Sequence, residues 1–367
     1  MEQDVLCIRP QGPAKQAADA AAALRAKLHA CPEPAGCERQ TKAALWQFLA
    51  KNTSLDLREC GPGFYAAHRE PKPTRPAIAL RADYDALPLE GGGAAHLCGH
   101  DGHAAALCGV GLLLEGAVLG REVFLLFQPA EETGEGAKGC LGLLRQEPVA
   151  EIYGAHNLPG LPLGQVYTRP GVFACASRGL TLHLAGSQTH AATPELGRSP
   201  AGALGRLLCS LPAPQPQTGG LAFCTAAGAR LGKKAFGIAA ANAELWLTLR
   251  AEQDGALEGM QTAILDKMHE FAAADGLKCT WQTQDDFCAT VNDEACAQKV
   301  LAACGGQLLK EPMRWSEDFG QYLRHCAGAF FGIGAGGDTP PLHSAGYEYP
   351  DPLLWPTMRA FMNILAF

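Results

Sequence analysis

Long runs of lysine and arginine are absent from this sequence, and its formal net charge of -7 and pI near 5.9 leave no basic footprint for nucleic acid or an anionic membrane. A stretch able to cross a bilayer is missing too. The longest apolar run, Ala104 to Leu114, is interrupted by glycines and falls well short of the ~20 residues that a spanning helix needs. The chain begins Met1-Glu2-Gln3-Asp4 with no apolar leader, and no internal repeat or low-complexity segment is evident. These absences predict a soluble, cytoplasmic protein whose partners are small molecules or copies of itself. Cysteine, by contrast, is plentiful: fifteen residues. They are dispersed over a long chain, so reduced thiols are expected rather than a disulfide scaffold. At 367 residues, 47% hydrophobic and 18% charged, the chain is expected to form two domains, each with its own core.

Periodicity predicts helices over Ala14 to His29 and Gln40 to Lys51, a strand over Ala77 to Arg81, and a helix from about Gly102 to Gly116. Strand Val123 to Phe127, helix Ala137 to Gln146 and strand Ile152 to Ala155 follow. Such alternation indicates an α/β domain with a mixed, mostly parallel sheet flanked by helices. Ligands gather at the carboxyl ends of strands in such sheets. Asp83 and Asp85, Glu131 and Glu132, and His156 each follow one of these strands.

From about Cys175 to Asp285 the order becomes strand Gly179 to Ala185, helix Pro200 to Leu211, strands Leu221 to Ala227 and Glu244 to Ala251, helix Gly255 to Ala274 and strand Lys278 to Gln284. This is a split βαβ, ferredoxin-like α+β pattern with one open sheet face, and it reads as an insertion. The expected division is 1-174 with 286-367 for one domain and 175-285 for the other. Pro212-Ala213-Pro214-Gln215-Pro216 reads as a loop after the first helix of the insertion. Helices near Glu294 to Cys304 and Asp318 to His325, strand Ala329 to Ile333 and a closing helix from Pro356 return the chain to α/β material.

The chemistry concentrates in His96-Leu97-Cys98-Gly99-His100-Asp101-Gly102-His103 and Gln128-Pro129-Ala130-Glu131-Glu132. Thiolate, imidazole and carboxylate are the ligands of zinc and similar divalent ions. Cys98 and His100, two apart, can point to the same side of extended backbone. Alone they read equally well as a buried thiol beside a helix cap. Joined to Glu131, Glu132, His156 and His343, they point to a metal. Adjacent glutamates are commonly a solvated turn. At a strand end they divide more naturally into a general base, Glu131, and a metal ligand, Glu132.

Stretches in the same order run nearly end to end: Leu28 to Glu33, Arg81-Ala82-Asp83-Tyr84-Asp85-Ala86-Leu87-Pro88, Cys98 to His103, Phe127 to Glu132, Gly154-Ala155-His156-Asn157, Thr189-His190-Ala191-Ala192-Thr193-Pro194, Ser316-Glu317-Asp318-Phe319 and Leu342-His343-Ser344. On these the chain resembles the dinuclear metallopeptidase family of aminoacylases and carboxypeptidase G, in its branch of hippurate hydrolases, N-acyl-amino-acid amidohydrolases and indoleacetyl-amino-acid hydrolases. The resemblance implies two divalent ions per chain, with Cys98 bridging and His100, Glu132, His156 and His343 completing the set. It implies Glu131 as general base and Asp85 as the acid orienting a ligand. It also implies that His190, in many relatives from the partner of a homodimer, steadies the oxyanion. Arg250, at a strand end, suits a substrate carboxylate, although an exposed structural arginine is an equal reading. Asp83 reads as a buried hydrogen-bonding group, and Ser316-Glu317-Asp318 as a helix cap.

Two departures stand out. Relatives carry Asn-Val-Ile-Pro where this chain has Gly237-Ile238-Ala239-Ala240, with Asn242 further on; and the loop Glu90 to Ala95 is short. Three rival readings compete. Gly134-Glu135-Gly136-Ala137-Lys138-Gly139 fits the dinucleotide-binding pattern of an oxidoreductase, but two carboxylates stand before it. Cys98 as a nucleophile would make a thiol hydrolase. A metal-binding module without turnover would keep the ligands but not need Glu131 and His190. The expected function is that of a homodimeric, metal-dependent amidohydrolase cleaving N-acyl amino acids or similar small conjugates. Its insertion would act as a lid and dimerisation domain, hinged near Cys175 and Asp285. Zinc or manganese is the expected metal, with cobalt and nickel compatible with the same ligands.

Overall fold

A computed structural model describes residues 10–212, 215–217 and 220–367. The chain divides into two compact units. The first takes the described residues up to Phe173 together with Thr290–Pro312 and Glu317–Phe367; the second is Ala174–Ala289 with Met313–Ser316.

The first unit is an eight-stranded sheet built from β1 (Asp56–Cys60), β2 (Gly63–His68), β3 (Ala77–Asp83), β4 (Val123–Gln128), β5 (Val149–Pro159), β6 (Val166–Thr168), β7 (Gln307–Leu308) and β8 (Ala327–Gly336), in the order β1-β2-β4-β3-β5-β8-β6-β7. Its centre is parallel: β4, β3, β5 and β8 run together. The β1–β2 hairpin and β6 attach antiparallel at the flanks. β3 and β4 are buried along their whole length, which is why Ala77 to Leu80 and Val123 to Phe127 read as apolar runs rather than as alternation. Their register sets Asp83 beside Gln128 at the carboxyl end.

Helices α1 (Gly12–His29), α2 (Arg39–Asn52), α3 (His100–Leu113), α4 (Glu294–Cys304) and α5 (Leu354–Ala366) cover this sheet. α1 starts with proline in its first turn and buries Ala17, Ala21, Leu24 and Leu28, a stripe at helical spacing. α3 is enclosed nearly all round and packs with α1, α2, α5 and β3, so its Ala-Gly-Leu composition carries no polar face. The expected helix Ala137 to Gln146 is two short helices, Gly136–Cys140 and Gly142–Gln146, and the one expected over Asp318 to His325 is confined to Gly320–Leu323. Leu87–Pro88 pairs with Ala94–Ala95, so the short 90–95 segment closes a hairpin.

The second unit is an antiparallel sheet in the order 215–217, Gly220–Leu231, Asn242–Ala251, Ala176–Ala185, Lys278–Phe287. Leu180, Leu182 and Leu184 alternate inward, opposite Leu247, Leu245 and Ala243. Helix Asp254–Ala274 covers them with Leu257, Ile264, Met268 and Ala272. Trp246, on the other face of its strand, is 39% exposed. In the proline-rich stretch expected as a loop, residues 215–217 form a strand, while Ala213 and Pro214 lie outside the described residues.

Candidate metal and catalytic centre

Gly99, with φ 96, stands between Cys98 and the first residue of α3, His100. A Cβ there would lie 2.6 Å from Asn157 Oδ1 and 2.7 Å from the Tyr347 hydroxyl. Only glycine both adopts the left-handed turn and lets these neighbours approach. The turn aims Cys98 Sγ to within 3.4 Å of His156 Nε2 and 3.3 Å of His343 Nε2. His156 lies inside β5, which runs on to Pro159, rather than after the strand's end. His343 sits in a loop with φ 63, its backbone N–H donating to Leu97 O at 2.7 Å.

Two ligand trios share one sulfur. Donor atoms of Cys98, His100 and His156 lie within 4.8 Å of one another, and so do those of Cys98, Glu132 and His343. A third set, His100, Glu131 and Glu132, overlaps both. His100 Nδ1 donates to Asp85 Oδ1 at 3.0 Å and to the Asp85 carbonyl at 3.1 Å. With Nδ1 thus committed as donor, a neutral His100 presents Nε2 as a lone pair. Among the described residues, neither His100 Nε2 nor Glu132 Oε1 has a hydrogen-bond partner, although both are buried. Buried polar atoms are ordinarily satisfied, so this donor set fits a divalent cation.

Asp85 has a second partner, since its Oδ2 accepts from the Glu132 backbone N–H at 3.0 Å. One carboxylate therefore orients a histidine and the turn bearing the glutamates. Glu131 is 6% exposed, and burial, then the nearby carboxylates of Glu317, Glu132 and Asp318, push it well above the usual range. His343 is pushed up to about 10 by its hydrogen bond with Cys98 and its contact with Glu132. His156 is held well below the usual histidine range by burial and by the neighbouring His103. Burial, then Glu132, raises the Cys98 thiol, whereas an activated nucleophile needs the opposite shift.

Behind the site lies a buried network that sequence reasoning missed. Arg81 donates to Asp83 at 2.5 Å and to Asp318 at 2.7 Å, meets Glu317 at 3.0 Å, and donates through Nε to Gln128 at 2.8 Å. Glu317 and Asp318 are therefore part of an ion cluster, not a helix cap. One guanidinium cannot neutralise three buried carboxylates, and burial pushes Glu317 up to about 8. The Asp318 backbone N–H reaches Glu131 Oε1 at 3.3 Å. Asp83 is fully buried, as its reading required, and accepts from His103 Nδ1 at 2.6 Å. The available signal was Arg81, an arginine within an otherwise apolar strand.

The glycine-rich segment offers no phosphate cradle. A Cβ at Gly136 would lie 1.8 Å from Pro129 O, and the Ala137 N–H already donates to Asp318 Oδ2 at 2.8 Å. Gly136 and Gly139 serve close packing, and Gly134 takes a left-handed turn at φ 72.

In the second unit, Thr189–His190 pairs antiparallel with Ile238–Ala239, so the segment that departs from relatives holds His190 in place. His190 is exposed, and its Nδ1 accepts from the Ala192 N–H at 3.1 Å. That bond leaves the proton of a neutral ring on Nε2. Arg250 donates through Nη1 to the Arg314 carbonyl at 3.1 Å and to Ser316 Oγ at 3.0 Å. Burial lowers its pKa, and among the described residues no carboxylate is one of the groups that offset this.

Residues 79–366 match the sequence model of peptidase family M20/M25/M40. An N-acetyldiaminopimelate deacetylase of Exiguobacterium sibiricum is 28% identical over 343 residues, spanning 87% of this chain and 91% of its own. An N-acetyl-L-cysteine deacetylase of Bacillus subtilis is 28% identical over 343 residues, spanning 88% and 82%. A solved Bacillus subtilis structure, described as a dinuclear metal binding peptidase of the M20 family, superposes with a TM-score of 0.80 at 23% identity, covering 96% of this chain and 98% of that one.

Proposed function

Because this chain belongs to peptidase family M20/M25/M40, a family of amide-bond hydrolases, we propose that it hydrolyses the amide of N-acyl amino acids or closely related small conjugates. The carrying observation is Cys98 Sγ shared by two ligand trios, with Glu131 beside them. The acylated amino acids named for its relatives support that substrate class.

In this reading Cys98, His100, Glu132, His156 and His343 hold two divalent ions, zinc or manganese. When bound, such ions polarise a carbonyl and acidify water. Glu131 takes a proton from the attacking water on a carboxylate oxygen and returns it to the leaving amine nitrogen. Asp85 keeps His100 in the tautomer that a cation requires. His190 donates from Nε2 to the carbonyl oxygen as it gains charge. Arg250 pairs with the carboxylate of the amino-acid half. The first unit is the catalytic domain, and the second the lid and dimerisation domain of a cytoplasmic homodimer.

The test is release of free amino acid from a panel of N-acyl amino acids, before chelation, after it, and with metal restored. Chelator-sensitive release that returns with metal is expected. Release indifferent to chelation would overturn the metal reading, and no release from a protein holding two ions would overturn the substrate class.

A further inference from the structure

Asn157, Tyr347 and His103 are buried beside the ligands, yet the mechanism above uses none of them. The Asn157 side-chain amide donates to the Tyr347 hydroxyl oxygen at 2.6 Å, and Asn157 Oδ1 lies 2.5 Å from His103 Nε2. Asn157 follows the ligand His156 on β5, and His103 lies one helical turn beyond the ligand His100 on α3. Tyr347 closes the turn that begins at Ser344, next to His343, its backbone N–H donating to Ser344 O at 3.0 Å. Gly99, between Cys98 and His100, packs directly onto the Asn157–Tyr347 pair. Three ligand-bearing segments, carrying Cys98 and His100, His156, and His343, therefore converge on Asn157 and Tyr347.

His343 most needs such a support. It is a non-glycine residue at φ 63, its side chain is 52% exposed, and it comes from a loop rather than a strand or helix. A side chain in that backbone region persists only where its surroundings over-determine it. A backbone bond, His343 N–H to Leu97 O, anchors the loop, and Tyr347 supplies a side-chain anchor. The other ligands have independent supports. His100 is fixed by Asp85, and His156 Nδ1 donates to the Asn157 carbonyl at 2.9 Å.

We infer that Tyr347 and Asn157 are positioning residues: their hydrogen bond latches the His343 loop to β5, and so selectively sets the affinity of the trio Cys98, Glu132 and His343. The inference rests on the metal-centre reading, and its test separates the two. Metal-free wild type and Tyr347→Phe are titrated with zinc against a chromophoric chelator, and the number and affinity of bound ions are read without any assay of turnover.

Wild type is expected to bind two ions. Tyr347→Phe, which loses only a hydroxyl, should keep one at wild-type affinity and bind the other about 10- to 100-fold more weakly, as for other groups that orient ligands. Metal-free Tyr347→Phe should remain folded, as its circular dichroism spectrum reads. Asn157→Ala, which also removes the contact with His103, should weaken the same ion, and the double variant should lose no more than Asn157→Ala alone, since both variants remove the bond between Asn157 and Tyr347. Two unchanged affinities, or two affinities reduced alike, would overturn the latch. A wild type that binds no zinc would overturn the metal-centre reading itself, and the latch with it.

Discussion

At the scale of single residues, the centre turns on two neighbouring glutamates given different surroundings. Glu132 offers a buried oxygen with no hydrogen-bond partner among the described residues and belongs to the trio with Cys98 and His343, whereas Glu131 faces Glu317 and Asp318. A carboxylate crowded by others is a proton acceptor waiting for a compensating charge. Glu131→Gln removes that acceptor without removing a proposed ligand. It should lower kcat by at least about 100-fold while the bound metal per chain, measured by elemental analysis, stays at the wild-type value. Metal loss in step with activity would instead make Glu131 a ligand. The pair was legible in the sequence because, joined to the Cys98–His100 motif, two acids at a strand end divide more naturally into a base and a ligand than into a solvated turn. The acids that tune it, Glu317 and Asp318, were not, because Ser-Glu-Asp before an apolar residue also fits a helix cap. Only the long-range contact with Arg81 separates these alternatives.

At the scale of elements, the parallel centre of the sheet was readable from Ala77 to Arg81, Val123 to Phe127 and Ile152 to Ala155, strands that alternate with helical segments. The β1–β2 hairpin was not. Asp56-Leu57-Arg58-Glu59-Cys60 has neither an apolar run nor a buried face, with a single fully enclosed residue at its end, so its strand character comes from pairing with β2. That flank is fastened by Glu147, which accepts from the Tyr65 hydroxyl at 2.6 Å on β2 and from Arg69 Nη2 at 2.6 Å just after it. Arg69 first, with Tyr65, holds Glu147 below its ordinary value of 4.5. Because the folded-state pKa is depressed, the unfolded chain binds more protons. The stabilisation is therefore present above the ordinary glutamate range and lost as pH falls through the depressed value. Glu147→Gln should cost about 1 kcal/mol at neutral pH, given the partly exposed arginine. Urea denaturation of both proteins should show the gap closing on the acid limb. A gap independent of pH would mean that packing, not charge, holds the hairpin.

At the scale of the whole molecule, the proposed work is divided between the units. Every proposed metal ligand lies in the first, and His190 and Arg250 lie in the second. Variants of the second unit should therefore leave metal content intact while separating the kinetic constants. His190→Ala should lower kcat by about 100-fold or more, and Arg250→Ala should chiefly raise KM. Steady-state kinetics on the best substrate of the panel would check both; equal effects on the two constants from each variant would argue against the assigned roles.

The division also has a topological side. Strand Gly171–Ala174, where the chain leaves the first unit, pairs with Thr290–Asn292, where it comes back. Departure and return are thus stitched side by side, and the eight-stranded sheet is never interrupted by what is threaded between them. The intervening segment is in effect a cassette. Together with Met313–Ser316, which completes the second unit, it could be exchanged for a relative's while every proposed metal ligand stays on the other side of that seam.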